Sequence, residues 1–319
     1  MPLHRLRSLC GTKRLIVTFS ARIGHKFELK RGVVVRRETA RVYAMSEQPG
    51  RPDALATAQD PESLVGDTLR GLRGLVVGIA NEHSIAYGCA SKLSGFGAEL
   101  AITYLNEKAE RYVRPLAQEL GAELILPLDV EQPGQMEAVF DRIAAEWGRL
   151  DFVIHSIAFA PRDDLHGRVV DCSLAGFQQA MAVSCHSFIA MARLAEPLMK
   201  SGGSLLTMSY YGADKVVNNY NIMGPVKAAL EASVRYLAAE LADDNIRVFA
   251  VSPGPLKTRA ASGIAAFDEL VDAAVRRTPA HHLVDIAEVG RVVAFLVGTA
   301  ASGMTGDTIY VDGGLHNVA

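Results

Sequence analysis

Tyr220 and Lys227 stand seven residues apart in the stretch NYNIMGPVKAALE, and Tyr210 lies ten residues before Tyr220. Seven residues are nearly two helical turns, so both side chains can share one face of a helix. Gly224-Pro225 falls between them, and proline suits a helix's first turn. This pattern predicts Tyr220 in the loop entering a helix and Lys227 about a turn inside. A phenol beside an ammonium is an acid pair, because the positive charge favours the phenolate and lowers its pKa from about 10. Core or rim packing is the commoner fate of tyrosine, and a helix lysine is commonly solvated. The elements around the pair decide between these readings.

Apolar runs of strand length occur at 75–79, 100–104, 124–128, 152–154, 204–208, 248–251 and 308–311. Segments with helical periodicity fill most of the gaps, at 109–120, 135–147, 177–199, 226–241 and 286–297. Alternation of this kind predicts the α/β class: one doubly wound, Rossmann-like domain over 68–319, with a seven-stranded parallel sheet and helices on both faces. The strands are nearly continuous Val, Ile and Leu, as burial on both faces requires. Ligands in such sheets bind at the carboxyl ends of strands, near the switch in strand order.

The residues just past each strand are therefore the candidates. The first strand runs into GIANEHSIAYG, 78–88. Gly78 allows a sharp turn and a close approach of the backbone. The amides of Ser84 and Ile85 open the next helix, where free N–H groups and the helix dipole attract phosphate. The Ser84 hydroxyl is placed to cap that helix or to touch the phosphate. Asp129-Val130 follows the third strand, HSIAFAP the fourth, SYYG the fifth, SPGPLKTRAASG the sixth and DGG the last. Asp129 can accept from an adenine amino group while the Val130 amide donates to the ring. Pro253-Gly254-Pro255 stiffens a loop presenting Leu256 and Thr258. Each alone is more often an ordinary turn than a contact. Their weight is that all fall on one edge of one sheet.

Taken together, GIANEHSIAYG, LDV, HSIAFAP, SYYG, NYNIMGPVKAALE, SPGPLKTRAASGI and TGDTIYVDGG resemble the short-chain dehydrogenase/reductase superfamily over about residues 70–316. Within it they resemble the NADH-dependent enoyl-acyl-carrier-protein reductases of bacterial fatty-acid synthesis. Ordinary members of the superfamily have a Gly-x-x-x-Gly-x-Gly turn and a shorter Tyr–Lys spacing. The long turn and the spacing of seven are marks of the enoyl reductase branch. The resemblance implies reduction of trans-2-enoyl thioesters, with an acyl-carrier protein as the partner that brings the substrate. It implies Tyr210, Tyr220 and Lys227 as the catalytic set. Gly78, Ser84, Ile85, Leu105, Asp129, Val130, Ile157, Lys227, Leu256 and Thr258 would bind the cofactor. Phe159 and Ala160, with Tyr210 and Tyr220, would line the substrate pocket. The segment 259–275 resembles the mobile flap over the acyl chain. One departure stands out. TYLNEK has Leu105 where several relatives carry Gln, and no Asp ends the strand to hold a ribose 2′-hydroxyl, while Lys108 can tolerate a phosphate. NADH is the expected cofactor, and NADPH is not excluded. The competing readings are a reductase of ketones or ketoacyl thioesters, and a non-catalytic nucleotide-binding protein.

The 319 residues are 49% hydrophobic and 21% charged, enough for a large core. The net charge of −2 hides an asymmetry. Residues 1–44 hold eleven Lys and Arg against Glu28 and Glu38, a net of +9. The other 22 basic and 33 acidic residues give the body −11. An acidic body argues against nucleic acid as a partner, since neutralising phosphates needs clustered cations. Residues 1–67 are expected to be a disordered or non-native extension. For 1–44 an organelle-targeting peptide and a nucleic-acid arm are possible readings; the one favoured is that Met45 starts the native chain. Cys10, Cys89, Cys172 and Cys185 lie far apart with no CxxC pair, which suits a reducing compartment and no metal site. No apolar run approaches the roughly 18 residues that span a bilayer. A cytoplasmic, bacterial enzyme is expected. Helices 177–199 and 226–241 are apolar on more than one face, which suggests burial between subunits, and the resemblance implies a homotetramer.

Overall fold

In the computed structural model, the described residues are 68–256, 258 and 267–318; the extension over 1–67 and the first part of the expected flap, 259–266, lie outside them. The chain runs β1 (Arg73–Val77), α1 (Ile85–Gly95), β2 (Glu99–Tyr104), α2 (Glu107–Glu119), β3 (Leu124–Pro127), α3 (Gln135–Trp147) and β4 (Phe152–His155). It continues through α4 (Leu174–Met181), α5 (Ser187–Ala195), β5 (Gly203–Met208), α6 (Met223–Glu240) and β6 (Ile246–Pro253). The last elements are α7 (Phe267–Arg277), α8 (Ile286–Val297) and β7 (Thr308–Val311).

The seven strands are parallel in the order β3-β2-β1-β4-β5-β6-β7. Strand order reverses between β1 and β4, which opens a crevice at their carboxyl ends. Side chains alternate across the sheet. Leu75, Val77, Val153, Leu205 and Val248 face one core, covered by α3, α5 and α6. Val76, Phe152, Ile154, Leu206 and Phe249 face the other, covered by α1, α2 and α8. Burial of each such side chain contributes about 1.5–3 kcal/mol. Gly74 pairs with Phe152 across β1 and β4, and a Cβ on Gly74 would fall 1.9 Å from the Phe152 ring. The missing side chain is what lets that phenyl group lie over the sheet.

The helix expected as one piece over 177–199 is not continuous. α4 begins at Leu174, a π-turn spans Ala182–His186, and α5 resumes at Ser187. The apolar period survives the extra residue, so the pattern of side chains conceals the bulge. Ser173 caps α4 by accepting from the Gly176 amide at 2.9 Å. α1 and α8 cross with glycines in contact: a Cβ on Gly88 would meet the Ile286 carbonyl oxygen at 2.4 Å, and one on Gly290 the Gly88 carbonyl at 2.4 Å. That packing sets where α1, and hence its N-terminus, stands relative to the sheet.

Candidate active site

A cavity of about 370 Å³ lies over the carboxyl ends of β1, β4, β5 and β6. Gly78, Ser84, Ile85, Ile157, Phe159, Ala160, Tyr210, Tyr220, Lys227, Leu256 and Thr258 all line it. So do Leu165, Met208, Ser209 and Met223, which the sequence did not single out. Three expected cofactor residues stand apart from this lining. Leu105 is 54% exposed just after β2. Asp129 and Val130 follow β3, where Asp129 Oδ1 accepts from the Glu131 amide at 3.0 Å and the Asp129 amide donates to Gln135 Oε1 at 2.8 Å. They belong to the same sheet edge, two strands along from β1.

The long turn after β1 is built by its own serine. Ser84 Oγ accepts from the amides of Ala80 and Asn81, both at 3.0 Å, and lies 3.2 Å from Asn81 Oδ1, to which it donates. It therefore does not cap α1, one of the two uses expected of this hydroxyl: Ser84 occupies the N-cap position with no side-chain cap bond. The Ser84 amide is also engaged, donating to the Asn81 carbonyl at 3.1 Å. The Ile85 amide stands in the first turn, where N–H groups lack a carbonyl partner within the helix. Gly78 has φ +112°, and a Cβ there would sit 2.1 Å from the Ser156 carbonyl oxygen. Both facts require glycine: the backbone conformation and the close pass of the β4 end.

The loop after β5 delivers the tyrosines. Tyr220 precedes α6, as expected, between Asn219 and Asn221, both with positive φ (63° and 42°). Asn221 Nδ2 donates to the Leu165 carbonyl and so ties this loop to the helical turn Arg162–Leu165. The Tyr220 ring meets Tyr210 edge-on, centroids 4.9 Å apart, and Tyr210 meets Tyr211 at 4.8 Å. Tyr220, Ile222, Met223, Val226 and Ala180 form a small apolar cluster of their own, against which Ala160, Leu165 and Tyr210 pack.

Lys227 is 5% exposed, and its Nζ donates to the Met208 carbonyl at 2.6 Å. An ammonium has three donors, so two N–H groups remain. Burial lowers its pKa to about 8, against the opposing effects of Cys185 and Glu231. The expected lowering of the tyrosine pKa is not found. Burial pushes Tyr220 up from its ordinary value, with Glu231 adding to the rise. Tyr210 is also raised, by burial first and by Tyr211 next. The reason is geometric: the Lys227 ammonium is bonded to Met208 rather than to the phenol, and apolar surroundings disfavour a phenolate. Both phenols are protonated donors at neutral pH.

Behind the cavity lies a buried polar chain that sequence reading missed. Ser187 Oγ donates to the Val183 carbonyl at 2.7 Å, which spends its only proton. It must then accept from His155 Nε2 at 2.8 Å, which leaves Nδ1 to accept from the Thr207 hydroxyl at 2.8 Å. Burial, then the Lys227 charge, lowers the His155 pKa to about 3. At the third residue of the π-turn, Ser184 Oγ accepts from the Phe159 amide at 2.9 Å and donates to the Phe159 carbonyl at 3.0 Å. The π-turn thus holds the wall 158–160 of the cavity. Polar residues at helical spacing on an apolar helix (Ser184, Ser187) were the available signal.

The lining contains a helix N-terminus, one buried cation and several hydroxyl groups, and among the described residues no carboxylate. That donor set fits an anionic dinucleotide. A family profile described as Enoyl-(Acyl carrier protein) reductase matches residues 78–316. The chain belongs to this enoyl reductase family. Its curated relatives include the NADH enoyl-acyl-carrier-protein reductase 1 of Rhizobium meliloti, 46% identical over 250 residues, 78% of this chain and 92% of that protein. The NADH enoyl-acyl-carrier-protein reductase FabI of Rickettsia felis is 44% identical over 248 residues, 78% and 95% of the two chains. Among solved family structures, the reductase of Anaplasma phagocytophilum in complex with NAD superposes with a TM-score of 0.77 at 45% identity, covering 80% of this chain and 97% of that one. The Bacillus cereus enzyme with NADP+ and indole naphthyridinone gives a TM-score of 0.77 at 43% identity, over 79% and 99%. Against that family frame, the paired tyrosines and Lys227 occupy the same cavity that the open end of α1 enters.

Proposed function

We propose that this protein is an NADH-dependent enoyl-acyl-carrier-protein reductase that reduces trans-2-enoyl thioesters in fatty-acid elongation. The observation that carries this reading is the Tyr220 phenol and the Lys227 ammonium lining one acid-free cavity at the switch point of the sheet. The relatives named as NADH enoyl reductases support it.

Bound NADH would supply a hydride to C3 of the enoyl thioester, and a proton taken up at C2 would complete the reduction. Between these steps negative charge gathers on the thioester oxygen. Tyr220 donates its hydroxyl hydrogen bond to that oxygen, which stabilises the transition state where charge appears. Its raised pKa suits this work, because a protonated phenol is needed and a phenolate would repel the enolate. Lys227 keeps one N–H on Met208 and would direct the others to the ribose hydroxyls of the bound cofactor. Tyr210 packs on Tyr220 and borders the thioester; Phe159 and Ala160 form the wall beside it. Gly78, Ser84 and Ile85 shape the pyrophosphate turn, with the Ile85 amide as donor and the Ser84 hydroxyl folding the loop. With the dinucleotide bound, Thr258 would offer its hydroxyl to the phosphates, Leu256 and Ile157 would border the nicotinamide, and Asp129, Val130 and Leu105 would border the adenosine end.

The carrier partner is an acyl-carrier protein. Val170, Leu174 and Tyr236 are 74%, 73% and 73% exposed on the single chain, and their cover by sister subunits in a homotetramer accounts for that apolar surface. No helix among the described residues is long and apolar enough to cross a membrane; the enzyme is assigned to the cytoplasm. The domain is assigned to 68–319, with 1–67 as an extension outside the catalytic fold.

The test is spectrophotometric. Purified protein is given crotonyl thioester with NADH, then with NADPH, and a 3-ketoacyl thioester as the competing substrate. Oxidation of NADH with the enoyl substrate and not the keto substrate is expected. A preference for the keto substrate would transfer the protein to the ketoreductases.

A further inference from the structure

Four residues past Lys227 on α6 is Glu231, on the same buried face and only 9% exposed. A buried carboxylate is costly unless it is bonded. This one accepts from Ser209 Oγ at 2.5 Å, and Thr308 on β7 also bonds it. Lys227 grips the Met208 carbonyl. Met208 and Ser209 are consecutive, the last residue of β5 and the first beyond it, and Tyr210 comes next in extended conformation (φ −155°, ψ 146°). Three neighbouring residues at the strand end are thus held in turn: Met208 by Lys227, Ser209 by Glu231, and Tyr210 by the Tyr220 ring.

We propose that Glu231 is a positioning residue for the reductase reaction, holding the Ser209–Tyr210 step against α6 and supplying the counter-charge to Lys227. The proposal rests on the roles of Tyr220, Tyr210 and Lys227 given above. Glu231 does not line the cavity, so it acts through Ser209 and Lys227 and not on substrate. The groups that face Lys227 are Glu231 on its own helix, Cys185 of the π-turn and His155 on β4. Those that face Glu231 are Ser209 after β5, Thr308 and Tyr310 on β7, Arg235 and Lys227 on α6, and Tyr220 in the entering loop. Of these, Glu231 is the carboxylate that opposes the desolvation of Lys227.

The full-length chain and its variants are assayed with NADH and crotonyl thioester across pH, with Tm recorded for each. Glu231→Gln keeps an acceptor oxygen for Ser209 and loses the charge. Its alkaline limb in kcat/KM should move to lower pH, because Lys227 then loses its proton more readily. Ser209→Ala breaks the tie, and kcat should fall about tenfold with KM for NADH little changed; Ser209→Thr, which retains the hydroxyl, should restore kcat. An unmoved alkaline limb in Glu231→Gln, or losses confined to Tm, would overturn the proposal. If Glu231→Gln fails to fold, the split between kcat and KM in Ser209→Ala and its rescue by threonine decide the matter. A wild-type chain without enoyl reductase activity would remove the functional reading itself; an active wild type with unaltered variants would remove only this one.

Discussion

The Gly212 backbone passes so close beneath the Tyr220 ring that a Cβ there would stand 2.5 Å from Tyr220 Cδ1 and 2.9 Å from Cε1. Gly212 is the middle residue of the 3₁₀ turn Tyr211–Ala213 that follows Tyr210, so the two tyrosines are fitted to each other by an absent side chain. Gly212→Ala should push the Tyr220 ring aside. The expected result is a loss of at least tenfold in kcat with a stability cost of about 1–3 kcal/mol, read by enoyl thioester kinetics and thermal melts. Wild-type kcat in a folded variant would mean that the Tyr220 ring can yield without losing its working position.

Tyr220→Phe keeps the apolar cluster of Ile222, Met223 and Val226 and removes the hydroxyl. Loss of one donor to a developing oxyanion costs about 10²–10³ in kcat. NADH binding, followed by fluorescence titration, should be nearly unchanged. A variant turning over at the wild-type rate would strip Tyr220 of its proposed role.

Lys227 has a pKa lowered to about 8 by burial. Its ammonium is present below that pH and lost above it, so kcat/KM should fall as pH rises through about 8. Lys227→Arg cannot lose its charge in this range. Whatever activity it retains should show no such limb. A wild-type profile flat to pH 9.5 would contradict the assignment.

His155 is held neutral between Thr207 and Ser187 with a pKa lowered to about 3. The unfolded chain takes up a proton near pH 6.5 that the native site refuses. Stability is therefore lost as pH falls from about 6.5 towards 3, by an amount on the order of a few kcal/mol. Denaturation midpoints at pH 7 and pH 4.5 should differ less in His155→Gln than in the wild type. Equal slopes would show that other groups govern acid sensitivity.

Ser184→Ala leaves the Phe159 amide and carbonyl without their shared partner. Phe159 is 45% exposed, so water can take up part of the lost bonding and the cost should be small, about 1 kcal/mol. The cavity wall should loosen, raising KM for the enoyl thioester more than it lowers Tm would suggest. An unchanged KM would make Ser184 a purely internal brace.

The class of fold was legible because its signal is local. Strands such as 204–208 and helices such as 286–297 announce themselves by composition and period, and strict alternation of the two leaves a parallel sheet as the packing that covers both faces. The Tyr220–Lys227 pair was legible for a similar reason, since a spacing and a nearby proline are properties of a few residues. What stayed hidden depends on which distant segments meet. Nothing near Ser84 says that its hydroxyl turns back to Ala80 and Asn81 instead of capping α1. The sign of the tyrosine shift was misread because it depends on burial, and burial is decided by α4, α6 and the loop after β4 closing around Tyr220. Ser184, Ser187 and Glu231 read as incidental polar residues on apolar helices until the π-turn and the end of β5 bring Phe159, His155 and Ser209 to them. The sequence by itself determined the class of fold, the order of most elements along the chain and the placing of Tyr220 and Lys227 at one helix entrance. Only the tertiary structure decided protonation and hydrogen-bond partners, because both depend on the solvent and charges that the rest of the chain excludes or supplies.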